Sequence, residues 1–141
     1  MPGLPPGVSY RTYEYELAVQ FRDLDPRAHV NHATDVGYLE QTKGRFSADV
    51  LGVSLADAPR VVRSLDVDYR DSIDPDETVR VALGPVEVGE TSLAIDYELS
   101  AGGRLAATAR TVSVLLDDDG DPMRVPEDWP DALEPYAPEA E

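Results

Sequence analysis

The chain has 141 residues, 28 Asp and Glu against 12 Lys and Arg, a formal net charge of -16 and a single lysine, Lys43. That length suits one domain with a substantial core, and the charge repels nucleic-acid phosphates, which argues against a DNA- or RNA-binding role. With no cysteine there is no disulfide, no thiolate metal site and no cysteine nucleophile.

No stretch approaches the ~20 apolar residues that cross a bilayer. Met1-Pro-Gly-Leu-Pro-Pro-Gly7 lacks the apolar segment of a secretory signal. The expectation is a soluble cytoplasmic protein with neither nucleic-acid nor membrane partners. Acidic charge spread over a whole domain is a device of halophiles, in which concentrated salt screens the self-repulsion. The near absence of Lys strengthens that reading.

Residues 1–11 read as a flexible leading segment. Tyr13, Tyr15, Leu17, Val19 and Phe21 then alternate with Glu14, Glu16 and Gln20, the period of a half-buried strand. A loop follows from Arg22 to Asn31. From about Ala33 to Leu51 the spacing becomes helical, with Val36, Leu39, Phe46 and Val50 on a stripe that Lys43 interrupts, and Gly52 stands where a C-terminal cap belongs. Gly37 and Gly44 weaken this helix by up to ~1 kcal/mol each relative to Ala.

Four more strand-like runs come next. Val61, Arg63, Leu65, Val67 and Tyr69 share a face in the first, Val79, Val81 and Leu83 in the second with Val86 and Val88 after them, Leu93, Ile95, Tyr97 and Leu99 in the third, and Leu105 to Leu116 form the fourth. Asp74-Pro-Asp76, Gly89-Glu90, Ala101-Gly-Gly103 and Asp117–Asp121 supply turn chemistry between them. Short connections predict antiparallel neighbours. The order predicts an α+β sheet with one central helix on its apolar face. A short amphipathic turn around Trp129 and Leu133 docks on it, so the domain spans 12–133 and residues 134–141 form an acidic tail.

The segment from Val19 to Ala33 carries the candidate chemistry. Asp25 precedes Pro26 in the loop, just before a helix whose first amides are unpaired. Taken alone, an Asp there is a turn residue or a cap. Beside a helix start it is also a base or nucleophile next to N–H groups that polarise a carbonyl. Asp23 competes for the role. His29 and His32 are the only histidines; one lies in the loop and no third ligand is suitably spaced, so no metal site is expected. His29 braces the loop, and His32 lines whatever binds at the helix start.

Asn31 is a good N-cap and, secondarily, a residue that positions a substrate carbonyl. Glu40 reads as a solvated helix residue or as a carboxylate facing a partner subunit, where it contacts substrate. Arg63, Arg70 and Arg110 are counterions for neighbouring carboxylates or an anion clamp for phosphates.

Phe21-Arg-Asp-Leu-Asp-Pro-Arg-Ala-His-Val-Asn-His-Ala33, followed by Tyr38-Leu39-Glu40, resembles the hot-dog acyl-CoA thioesterases of the 4-hydroxybenzoyl-CoA thioesterase type. The similarity continues through Val67-Asp-Tyr69, Leu105–Val114 and Val125-Pro-Glu-Asp-Trp129. The resemblance implies a five-stranded antiparallel sheet wrapped around one long central helix, with thioester hydrolysis as the activity. It implies Asp25 as base or nucleophile, amides near His32 and Ala33 polarising the carbonyl, and Asn31, Glu40, Tyr69 and Arg70 around the substrate. It calls for no cofactor or metal. It implies acyl-CoA as ligand and a homodimer or homotetramer joined edge to edge, with sites at the subunit interface.

This chain departs from the family at His32, where Asn is usual, at Asp35, where an aromatic is common, and at Lys43, where Arg is usual. Asp35 favours the helix dipole but repels an anionic acyl group. Enoyl-CoA hydration, the other hot-dog reaction, uses an Asp–His pair in a longer loop; here Asp25 and His29 are one residue closer and the accompanying Asn-Pro pattern is missing. A non-catalytic acyl-binding member of the fold is the third reading.

Overall fold

The computed structural model describes residues 11–53 and 60–138. The first ten residues of the leading segment and the last three of the tail lie outside it. In chain order come β1 (Tyr13–Ala18), α1 (His32–Phe46) continued by a π-helical turn (Ser47–Leu51), β2 (Arg60–Tyr69), β3 (Thr78–Val88), β4 (Ser92–Ala101), β5 (Arg104–Leu115) and α2 (Trp129–Leu133). All strand pairs are antiparallel, in the order β1-β3-β4-β5-β2. This is the expected α+β architecture, with the short α2 as a helix additional to the central one.

Alternation fixes which side of each strand faces α1. Val79, Val81, Leu83, Leu93, Ile95, Tyr97 and Leu99 are buried, and the register sets Leu83 beside Tyr97, Tyr97 beside Ala109, and Ala109 beside Val67. Laterally paired residues point to the same face, so these rows line the inner side of the sheet. Three register shifts interrupt the sheet, one of them between Leu99 and Ser100, and the other two change which residues of β3 and β2 turn inward. At Gly84-Pro85, where Gly84 has φ 139, Leu83 and Val86 both turn inward and are buried. The two runs expected around Val79–Leu83 and Val86–Val88 are therefore one strand.

The second bulge corrects the reading of β2. Its register slips between Val62 and Ser64, so Val62, Leu65, Val67 and Tyr69 lie beside Ser113, Thr111, Ala109 and Ala107 on the inner face. Val61 and Ser64 lie beside Val114 and Val112 on the outer face. Val61 thus does not share a face with Leu65, because the residue inserted at Arg63 shifts the alternation by one.

The buried stripe of α1 is Asp35, Tyr38, Leu39, Thr42, Lys43 and Phe46, the i, i+3, i+4 spacing of one helix face. Lys43 lies within the stripe rather than breaking it. Its ammonium is neutralised by Glu40 Oε2 at 2.8 Å. The helix ends as expected at Gly52, in the left-handed conformation with φ 69, where glycine carries no Cβ penalty. No atom lies within 4 Å of where a Cβ would sit on Gly37, so close approach within the chain does not explain that glycine.

Phe46 closes the far end of the core. Tyr13 and Tyr136 meet its ring edge-on, with centroids 5.4 and 5.1 Å away. Trp129 and Leu133 of α2 are buried, and so is Tyr136. The packed unit therefore runs past residue 133 into the segment read as tail. Among the described residues no helix is long and apolar enough to cross a membrane. Phe46→Ala removes the shared partner of both tyrosines, and urea unfolding is expected to show a loss of about 3–5 kcal/mol.

Candidate functional site

The loop before α1 is held by main-chain contacts on both sides. Val30 N–H donates to Ile73 O at 3.0 Å, tying the loop to the segment after β2, and Asn31 N–H donates to Asp23 O at 2.8 Å. Between them Leu24 and Val30 form an isolated antiparallel bridge.

The two loop aspartates have separate environments. Asp23 is buried, and its Oδ2 accepts from the Tyr38 hydroxyl at 2.8 Å and from Gln20 N–H at 2.7 Å. It anchors the loop to α1. Asp25 faces outward and uses only Oδ1 for its turn, accepting N–H donations from Arg27 at 2.9 Å and His29 at 3.1 Å. The turn is completed by Ala28 at φ 60. Among the described residues nothing donates to Asp25 Oδ2. The N–H of His29, then that of Arg27, hold the Asp25 carboxyl below its ordinary value of 3.8, against a smaller opposing effect of burial. It is therefore ionised at any working pH and has one free oxygen.

At the helix start, Asn31 Oδ1 accepts the Ala33 N–H at 2.8 Å, the N-cap arrangement its residue type favours. That leaves Ala33's amide engaged. Among the described residues no acceptor takes the His32 N–H, so His32 offers the open amide of this end. The Tyr69 hydroxyl donates to His32 O at 2.7 Å, and the two rings meet edge-on with centroids 5.9 Å apart. Tyr69 thus covers the start of α1. The His29 ring approaches Asp74, with Nε2 3.9 Å from its Oδ1.

The other expected contacts are dispersed. Arg70 reaches Asp68 at 2.8 Å. Glu40 is two turns along α1, engaged with Lys43. Among the described residues no group of three or more His, Cys, Asp or Glu is arranged to hold a metal ion. A groove of about 560 Å³ lies on the outer face of the sheet, lined among others by Glu14, Asp66, Asp68, Asp96, Glu98 and Arg110. It is on the opposite side of the sheet from α1, and neither Asp25 nor His32 borders it.

Asp35, expected to favour the helix dipole and to repel an anionic acyl group, heads the buried stripe of α1 at 5% exposure. Its Oδ1 is buried and unpartnered. Burial pushes its carboxyl up from 3.8 to about 6, with His32 pulling the other way. Its charge contributes to raising the Tyr38 and Tyr69 hydroxyls, though burial is the larger cause for both. Helical spacing to Tyr38, Leu39 and Thr42 was the available signal for its burial.

Residues 19–134 match the family model of the thioesterase-like superfamily. The chain belongs to that superfamily. A thioesterase from Thermus thermophilus, complexed with coenzyme A and Zn, is 30% identical over 89% of this chain and 93% of that one, with a TM-score of 0.81. Two further structures share the fold. One is a predicted thioesterase from Bacillus stearothermophilus, 23% identical over 92% and 99% of the two chains with a TM-score of 0.82. The other is a 1,4-dihydroxy-2-naphthoyl-CoA thioesterase from Synechocystis, 18% identical over 86% and 95% with a TM-score of 0.79. No curated protein matches the sequence significantly. The thioesterase-like chain therefore has the hot-dog fold, and its family membership supports thioester hydrolysis.

The raised carboxyl of Asp35 links stability of this thioesterase-like domain to pH. Between 3.8 and about 6 the folded chain holds the Asp35 proton that the unfolded chain releases, so this group's contribution falls as pH rises through that window. Asp35→Asn is expected to remove this component. The Tm difference between variant and wild type, followed across pH, is expected to shift in the variant's favour from below pH 4 to above pH 6.

Proposed function

We propose that the chain hydrolyses an acyl-CoA thioester to the free acid and CoA, with Asp25 acting on the carbonyl carbon and the open His32 amide polarising its oxygen. The observation that carries this reading is the ionised Asp25 carboxylate, braced through one oxygen and free at the other, beside a helix start with an uncommitted N–H. A general base works best with its pKa near the working pH. The lowered Asp25 carboxyl is ionised near neutral pH, as either role requires, and its free oxygen suits direct attack. In that route a carboxylate oxygen bonds to the acyl carbon, the C–S bond breaks and CoA leaves as thiolate. Water then cleaves the acyl–aspartyl anhydride, restoring the carboxylate and releasing the acid.

Arg22 and Arg27 flank Asp25, are exposed, and have no carboxylate within 4.0 Å among the described residues. They are suited to meet CoA phosphates on an otherwise acidic molecule. Asn31, Tyr69, Arg70 and Glu40 complete the substrate surroundings in this reading, Glu40 from across a subunit boundary. The Asp25-to-His29 spacing, one residue shorter than that of the hydratase pair, weighs against hydration. The acidic surface accords with the cytoplasm of a salt-accumulating cell.

The site in this reading is completed by a second copy. β2 is an edge strand with free backbone groups, and Val62, Leu65 and Tyr69 on its inner face are 45, 41 and 44% exposed. Such an edge pairs readily with another. Two copies joined β2 to β2, as a dimer or within a tetramer, would make one ten-stranded sheet and cover these side chains.

In a thiol-release assay over a panel of acyl-CoAs, Asp25→Asn is expected to lose at least about a hundredfold in kcat while still binding product CoA. Unchanged turnover would remove Asp25 from the mechanism, and no turnover by wild type on any acyl-CoA would remove the reaction. The acid limb of wild-type kcat/KM is expected below 3.8, following the lowered Asp25 carboxyl; a limb near 6 would point to Asp35 instead. The double variant V62K/L65K is expected to sediment as a single chain where wild type sediments as a dimer or larger.

A further inference from the structure

Asp35 is a buried carboxylate with no stated task. The helix dipole gives an anion in the first turn a modest benefit, but a solvated carboxylate would receive it too. Among the described residues no cation lies within 4.0 Å of Asp35, and Oδ1 has neither solvent contact nor a hydrogen-bond donor. Burying such a group without a partner is costly. The placement is specific: Asp35 is three residues along α1 from His32, which Tyr69 contacts through its hydroxyl and ring, and the charge of Asp35 reaches the Tyr69 hydroxyl. Tyr38, its neighbour on the same face, is already committed to Asp23.

We propose that Asp35 determines acyl specificity, its free oxygen accepting a hydrogen bond from a hydroxyl or amino group on the acyl moiety close to the thioester carbonyl. The inference rests on the thioesterase reading for where the carbonyl sits, against the His32 N–H. Asp35 lies in the same first turn of α1 as His32, so a donor that reaches it belongs close to the thioester carbonyl and not at the end of a long chain. An acyl group with a carboxylate at the same position meets like charge and is rejected. An unsubstituted acyl group leaves Asp35 buried and unpaired, so it binds more weakly.

The test is calorimetric binding of two CoA amides, in which NH replaces the thioester sulfur: the 3-hydroxybutyryl and the butyryl compounds. Wild type is expected to bind the hydroxylated one at least about tenfold more tightly. Asp35→Asn, which keeps an acceptor oxygen, is expected to retain part of that preference. Asp35→Leu is expected to bind both alike, with a Tm no lower than wild type because the buried polar group is gone. Asp35→Ala provides the same comparison without added bulk should the leucine fail to pack.

Equal affinities in wild type, binding of neither compound, or a preference that survives in Asp35→Ala or Asp35→Leu would overturn the proposal. Because binding is read without turnover, a preference found in a protein that hydrolyses nothing would keep the role of Asp35 and discard hydrolysis.

Discussion

Main-chain hydrogen bonds on either side of residues 23–31 set where α1 begins, and the candidate chemistry depends on that placement. Val30 to Ile73 and Asn31 to Asp23 leave the chain little freedom as it enters the helix. Side-chain anchors add to them: Tyr38 to Asp23 from within α1, and Tyr69 to the His32 carbonyl from β2. The segment after β2 is held in turn by Arg104, which reaches Asp71, Glu77 and the Ser72 carbonyl. The orientation of a single half-buried carboxylate is thus supported from two strands, β2 and β5, and from the loop between β2 and β3. Rigid support of this kind is what a reacting group needs, since small misplacements reduce rates steeply.

The division of labour between the two loop aspartates follows from the same frame. Asp23 spends one oxygen on two donors and is buried, so it acts as a structural post. Asp25, two residues on, is pointed outward by the turn and keeps an oxygen free. The outer face of the sheet has the opposite character. Its carboxylates are partly offset by ion pairs such as Arg110 with Asp96 and Glu87, and Arg80 with Glu16. Among the described residues Arg22 and Arg27, neither with a carboxylate within 4.0 Å, stand on either side of Asp25.

Much of this was legible in the sequence, and the exceptions have physical causes. Alternation at Tyr13–Leu17 and at Leu93–Leu99 identifies half-buried strands because a pleated strand has a period of two. Asn31 and Gly52 mark the ends of the helical run because their residue types suit those backbone positions. Parity failed at Val61, since a one-residue bulge leaves no trace in polarity when the inserted residue is an ordinary arginine. Lys43 reads as an interruption of the stripe, and the burial of Asp35 is not foreseen, because charge predicts exposure only on average. For Lys43, Glu40 one turn away supplies the missing counterion. For Asp35 no local partner exists, so neither composition nor propensity signals its burial. Asp25 is preferred over Asp23 for its place close before the helix; that Tyr38 engages Asp23, from fifteen residues along the chain, has no local signal in the sequence.

The aromatic cluster around Phe46 has a bearing on how the protein is made. Its three rings come from the beginning, the first third and the end of the sequence. The main chain closes there too, with Arg11 N–H donating to Pro135 O at 2.7 Å and the Arg11 guanidinium 5.7 Å from the Tyr136 ring centre. A nascent chain on the ribosome has Tyr13 and Phe46 outside the exit tunnel long before Tyr136 emerges. The far end of α1 therefore waits for Tyr136 before its cluster is complete. Vectorial folding can assemble the sheet ahead of this cluster, whose completion comes only after β5 has been made.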